Sequence, residues 1–174
     1  GTHTSGSIVG NGFRSSSTPS TNTFPSTSFA GTAPKAEFVF QSVMDRRGGL
    51  SGLPTDLNNL FLPPYNDGAR VHSNSWGAAV AGDYTTDSQN LDEFAWNYKD
   101  MVITFSAGNS GTDAIGGDGV INTDSIGAPG TAKNCITVGA SENYRPDFVY
   151  EYPENDCTGT GFTQQAWGCF NATN

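Results

Sequence analysis

Met101-Val-Ile-Thr-Phe-Ser-Ala-Gly-Asn109-Ser-Gly111 is the most informative stretch of the chain, because apolar and small residues lead directly into a glycine turn. The run up to Ala107 predicts a buried parallel strand. Gly108 permits a tight bend, which leaves the Asn109 side chain at the carboxyl end of that strand. Open α/β sheets place their ligands at this end. The Asn109 amide is therefore a candidate donor to an oxyanion.

A second strand is predicted upstream in Arg70-Val-His-Ser-Asn-Ser-Trp-Gly77, and it ends in Ser75-Trp76-Gly77. Between the two strands, Thr86 to Lys99 predicts a helix, since apolar residues recur at the spacing of one helix face, namely Leu91, Phe94, Ala95 and Tyr98. Strand, helix and strand in this order indicate a parallel sheet with helices on its faces. The carboxyl ends of the two predicted strands are then expected to lie next to each other.

Two other segments have a clear local interpretation. The small residues of Gly1 to Gly12 suit a closely packed helix, and the Ser-, Thr- and Pro-rich residues 14–30 predict a polar insertion loop. A helical pattern spans Leu53 to Asp67. Pro63-Pro64 lies inside it and is expected to end or kink that helix near Leu62.

Composition limits the class of protein. The 174 residues carry a formal net charge of -9, which argues against a nucleic-acid partner. With 22 Gly, 9 Pro and 14% charged residues, the chain is typical of a loop-rich α/β protein rather than a helical bundle or a disordered chain. No apolar run approaches the length of a membrane span.

The last residues, 149–174, form a polar loop or tail with two cysteines. Cys157 and Cys169 lie twelve positions apart, which favours a loop disulfide and an oxidising compartment. Asn171 begins an Asn-Ala-Thr glycosylation triplet, although such triplets are common by chance. Cys135 opens an apolar strand and is expected to be a buried free thiol.

Two further features carry competing interpretations. The loop with Asp113, Asp118 and Asp124 has carboxylates close enough to clasp a structural calcium ion, but it lacks the spacing of an EF-hand. A solvated acidic loop is the favoured interpretation. His72 could be considered as a base, yet its place within a strand favours a structural histidine.

The chain resembles the subtilisin-like serine peptidases, and the motifs follow one another in register. Coverage is nearly continuous to Phe148. A subgroup of large alkaline subtilases is most similar, through the patterns of Phe38 to Leu50 and Asn74 to Gly77. The other matching segments are Gly1-Thr-His3 with Gly6, Gly31-Thr-Ala-Pro34 followed by a strand at Glu37 to Met44, Ser106-Ala-Gly-Asn109, Ala128 to Asn134 and the strand Cys135 to Ala140.

The resemblance implies an incomplete three-layer α/β domain over residues 1–174, a subtilisin-like parallel sheet flanked by helices. It makes Asn109 an oxyanion-hole donor, and it makes two segments the walls of the primary specificity pocket, Ser75, Trp76 and Gly77 in one and Ser106, Ala107 and Gly108 in the other. Trp76 is equally compatible with a core position. The implied substrate is an extended polypeptide, the implied location is extracellular, and the chemistry needs no cofactor.

All three members of the Asp/His/Ser triad are expected outside this chain. Gly1-Thr-His3 matches the histidine motif from its second position, so His3 corresponds to a structural histidine. The chain is then the middle segment of a serine endopeptidase and should be inactive alone. The alternative is a non-catalytic subtilase-fold module that binds extended peptide or a partner chain. A nucleotide-binding domain is disfavoured, since Gly127-Ala-Pro-Gly130 is not a phosphate fingerprint.

Overall fold

The structure is a computed structural model that describes residues 1–112 and 121–140. The chain divides into two compact units, residues 1–54 and 55–174. The second unit contains both predicted strand ends. The expected domain limits, with a loop at 14–30 and a tail at 149–174, stay predictions, and the tail lies outside the described residues.

The first unit begins with helix α1, Thr2–Val9, as predicted. Its close packing depends on Gly31, because a Cβ there would come within 2.8 Å of the Gly6 carbonyl oxygen. The backbone N–H of Gly31 also donates to the Gly10 carbonyl at 2.7 Å. Two short 3-10 turns, Phe13–Ser15 and Pro19–Thr21, lie in and beside the polar segment 14–30.

The strand expected at Glu37 to Met44 is not formed, which corrects the prediction from the motif alignment. The segment exposes several large apolar side chains, Phe38, Val39, Phe40 and Met44. A β-strand needs a neighbouring strand to take its backbone hydrogen bonds. Within residues 1–54 the structure offers this segment no such neighbour, so the similarity in motif order did not suffice to form a strand.

The second unit holds a parallel sheet of strands β1, Val71–Asn74, β2, Val102–Ser106, and β3, Ile136–Val138. Within the described residues the strand order is β1-β2-β3, with β2 central. Asn74 is paired with Phe105, and Ser106 with Val138. The predicted parallel α/β sheet is therefore confirmed.

The two faces of this sheet differ in burial. Ile103 and Phe105 of β2 are buried on one face. The opposite face remains open to solvent and carries exposed apolar side chains from all three strands, Val71, Val102, Ile136 and Val138. This agrees with an incomplete three-layer domain, since parallel sheets are normally covered on both faces.

Helices α2, Asn58–Asn66, and α3, Thr86–Asn97, cover the buried face. The apolar stripe of α3 is confirmed, because Leu91 and Phe94 are fully buried. The rings of Phe94 and of Phe61 in α2 pack together, with 5.3 Å between their centroids. No helix in the described part of the chain combines the length and hydropathy that a membrane span requires.

Two outcomes were predicted for α2 near Leu62, an end or a kink. The helix continues through Pro63 and Pro64, so the predicted end is wrong, and the kink stays a prediction. Proline removes one N–H donor but has a φ angle that suits a helix. Burial of Phe61 and Pro64 supports the helix from the core side. Tertiary packing therefore outweighs the two missing hydrogen bonds.

Candidate functional site

The carboxyl ends of β1 and β2 meet, as expected, at one edge of the sheet. The pairing of Asn74 with Phe105 is the last between these strands. The chain segments that follow are 75–77 from β1 and 107–109 from β2. Ser75, Gly77 and Asn109 are exposed there. Two segments named from the sequence thus lie side by side at the place where open α/β sheets bind ligands.

The turn that presents Asn109 is held by its neighbours on both sides. Ala107 donates its N–H to the Val138 carbonyl at 2.9 Å, and its own carbonyl accepts from the Gly127 N–H at 2.9 Å. Gly108 then adopts a φ of 99°, a left-handed value that favours glycine. The direction of the chain at Asn109 is therefore determined by backbone contacts.

A third segment, residues 127–130, lies at the same edge, although its sequence did not predict a place in the site. It is buried throughout. Ala128 and Ala78 exchange two backbone hydrogen bonds of 2.9 and 3.0 Å, which link this segment to the end of β1. A Cβ on Gly77 would come within 2.7 Å of the Ala128 carbonyl oxygen. The run of small residues Gly-Ala-Pro-Gly was the available signal, because such residues allow close backbone approach.

Trp76 is half-buried and reaches into the core below the strand ends. Its ring lies edge-on to Phe105, with 5.0 Å between centroids. Its Nε1–H donates to Oδ1 of the buried Asn74 at 3.2 Å, and Nδ2 of Asn74 donates to the Thr104 carbonyl at 3.2 Å. Asn74 therefore connects both strands to the indole, and packing fixes the orientation of Trp76.

His72 lies on the buried face of β1, edge-on to Phe61 at 5.0 Å. Burial lowers the pKa of its imidazole to about 4. The ring is therefore neutral at physiological pH. Its packing supports a structural histidine rather than a general base.

Of the remaining candidates, Asp124 and Cys135 lie within the described residues, and the Cys135 Sγ lies 3.9 Å from the Gly130 carbonyl oxygen. Asp124 is exposed with a φ of 64°. In residues 1–112 and 121–140, no group of three or more His, Cys, Asp or Glu side chains is arranged to hold a metal. Cys135 is a free thiol, but it is only partly buried. Five candidates lie outside the described residues, Asp113, Asp118, Cys157, Cys169 and Asn171.

Comparison with known proteins gives a consistent result. Residues 1–168 match the subtilase family. The serine protease/ABC transporter B family proteins tagB and tagD of Dictyostelium discoideum are 31% and 33% identical, over 89% and 86% of this chain. Thermitase of Thermoactinomyces vulgaris is 38% identical over 51% of it. The chain spans 8% of the length of each Dictyostelium relative and 30% of thermitase. The chain belongs to the subtilase family.

Proposed function

We propose that the chain is the middle segment of a secreted serine endopeptidase that hydrolyses peptide bonds through an Asp/His/Ser triad outside these residues. One observation carries the proposal. Asn109 is exposed just beyond the carboxyl end of the central strand, directly after Gly108, and the exposed Ser75 and Gly77 follow the end of the neighbouring strand. Family membership supports the same chemistry.

The proposed role of Asn109 is to donate a hydrogen bond to the oxyanion that forms when a nucleophile attacks a peptide carbonyl. Such donors act best when they are held in place before the reaction, because no reorganisation is then needed. Two hydrogen bonds of 2.9 Å support this rigidity, one from the Ala107 N–H to the Val138 carbonyl and one from the Gly127 N–H to the Ala107 carbonyl. The neutral amide also adds no charge that would have to be compensated before substrate binds.

The proposed pocket walls are 75–77 and 106–108, with 127–130 as a third wall. The first segment is largely exposed beyond the end of β1. Its main chain can pair with an extended polypeptide as an added strand, which tolerates many side chains. A polypeptide in extended conformation is therefore the proposed substrate. We place the parent protein outside the cell, where a Cys157–Cys169 disulfide would be stable.

Substitution of Asn109 by Ala in the parent protein tests this proposal. We expect kcat to fall by about 10²–10³ with little change in KM, a range taken over from subtilisin itself rather than derived from this chain. Peptide hydrolysis is measured with a chromogenic peptide substrate. Asn97→Ala is the matched control, because Asn97 is an exposed amide at the end of α3.

A fluorophosphonate probe provides an independent readout, since it labels an activated serine. The parent protein should be labelled, and the isolated chain should be neither labelled nor active. A parent that neither cleaves peptides nor reacts with the probe would contradict the proposal. It would favour a module that binds extended peptide without catalysis.

A further inference from the structure

Helix α3 has a polar side that contacts the chain following the third pocket wall. Ser88 is fully buried, and its Oγ lies 2.7 Å from Oγ1 of Thr131. The Thr131 hydroxyl donates to the Asp83 carbonyl at 2.9 Å. Because Thr131 has one hydroxyl proton, Ser88 must be the donor in the first bond. The start of α3 is thereby joined to Thr131.

Asp92 lies one helical turn after Ser88 on the same side of α3. Its Oδ1 accepts the backbone N–H groups of Lys133 at 2.9 Å and Asn134 at 2.7 Å. Its Oδ2 accepts the Tyr84 hydroxyl at 2.7 Å, and this bond raises the pKa of Tyr84. Hydrogen bonds to an ionised acceptor are about twice as strong as neutral ones. One carboxylate thus holds two consecutive backbone amides.

The segment held by Asp92 continues directly into the wall 127–130. Gly130 is buried, and a Cβ there would come within 2.9 Å of the Gly127 carbonyl oxygen and 3.2 Å of the Ser106 carbonyl oxygen. Backbone packed this closely cannot shift independently of its neighbours. A displacement of residues 131–134 is therefore transmitted to the pocket wall.

We propose that Asp92, supported by Ser88, is a positioning residue that sets the third wall of the substrate pocket. This inference rests on the proposed function of the strand ends. Asp92 acts through the backbone of residues 131–134 and touches no reacting atom. Its loss should therefore weaken substrate binding more than the chemical step, which depends on Asn109.

Asp92→Ala in the parent enzyme is the direct test. We expect KM for a peptide substrate to rise about tenfold while kcat changes by less than about twofold, the scale of one or two lost charge-assisted hydrogen bonds. Asp92→Asn keeps one acceptor oxygen, so its KM should rise less than that of Asp92→Ala. Asp100→Ala is the matched control, since Asp100 accepts the Tyr65 hydroxyl at 2.8 Å and the Arg70 Nε–H at 2.8 Å, away from the wall.

Backbone amide exchange separates this inference from the proposed function. Faster exchange confined to residues 127–134 in the Asp92 variants, with unchanged exchange in Asp100→Ala, supports the positioning role even if the parent proves inactive. Unchanged exchange in that segment would overturn it. Equal increases in KM for Asp92→Ala and Asp100→Ala would also overturn it. If Asp92→Ala does not fold, Asp92→Asn supplies the same comparisons.

Discussion

The two ends of the parallel sheet are built in different ways. At the amino end, Arg70 before β1 and Asp100 before β2 form an exposed ion pair with 2.8 Å between Nε and Oδ2. The Arg70 guanidinium also lies 4.0 Å from the ring centre of Tyr65. At the carboxyl end, backbone packs on backbone, as in the Ala78–Ala128 pair and the Gly127 contact with Ala107.

This difference explains why the candidate site lies at the carboxyl end. Long side chains at the amino end contact one another, as Arg70, Asp100 and Tyr65 do. Glycine and alanine at the other end bring main chains into direct contact and leave Asn109 exposed. We therefore expect the carboxyl end to be sensitive to added atoms, whereas the amino end should tolerate the loss of a charge.

Gly127→Ala should cause the largest decrease in the free energy of unfolding. Its Cβ would lie 2.8 Å from the Ala78 carbonyl oxygen, which is part of the backbone and cannot rotate away. We expect the free energy of unfolding to fall by about 3 kcal/mol, at the upper end of the range for overpacking. Urea unfolding monitored by circular dichroism measures this.

Gly139→Ala is the control for that experiment, because nothing lies within 4 Å of its added Cβ. Its effect should stay within about 0.5 kcal/mol. Equal destabilisation by the two substitutions would show that the carboxyl end is not closely packed, and the contrast between the two ends would be lost.

The next largest loss of stability should come from protonation of His72 when the pH is lowered. Its pKa is lowered by burial from 6.5 to about 4, so the folded chain favours the neutral ring. The stability that the neutral His72 ring contributes is fully present above pH 6.5, and it is lost as the pH falls toward 4. Between pH 6.5 and 5.0 we expect a loss of about 2 kcal/mol in the free energy of unfolding.

Urea unfolding at several pH values checks this, and working at pH 5.0 or above avoids the sequence pI of about 4.3. His72→Gln should remove most of the pH dependence. His3→Gln, on exposed α1, should retain it. A pH dependence unchanged in His72→Gln would rule out a buried neutral imidazole on the covered face.

Asp100→Asn should have the smallest effect, although it removes the charge of the ion pair at the amino end. The hydroxyl of Tyr65 lowers the pKa of Asp100, and the Arg70 guanidinium adds to the shift. Both partners are roughly half exposed, at 45% and 59%, and exposed pairs contribute little because water and salt screen them. We expect a change in Tm close to the detection limit and smaller still in high salt. A large, salt-insensitive decrease would contradict the view that this end tolerates the loss of a charge.

The sequence allowed much of the second unit to be predicted. Apolar periodicity indicated α3 and the strands around Ile103 and Val71, and Gly108 indicated the turn that presents Asn109. The strand at Glu37 to Met44 was predicted wrongly, and of the two outcomes predicted for α2 near Leu62, an end or a kink, the end was wrong. In both cases the outcome depends on neighbours far away in the chain, either a missing strand partner or a core that supports a proline-containing helix.

The sequence by itself determined the order of strands and helices, the glycine turn and the family, because these depend on local periodicity, backbone freedom and motif order. Only the tertiary structure decided that residues 127–130 pack against Ala78 and Ala107, that Trp76 packs on Phe105, and that Asp92 accepts the backbone N–H groups of Lys133 and Asn134. These contacts join residues separated by about 20 to 50 positions. They require chain closure and burial, which no local pattern encodes.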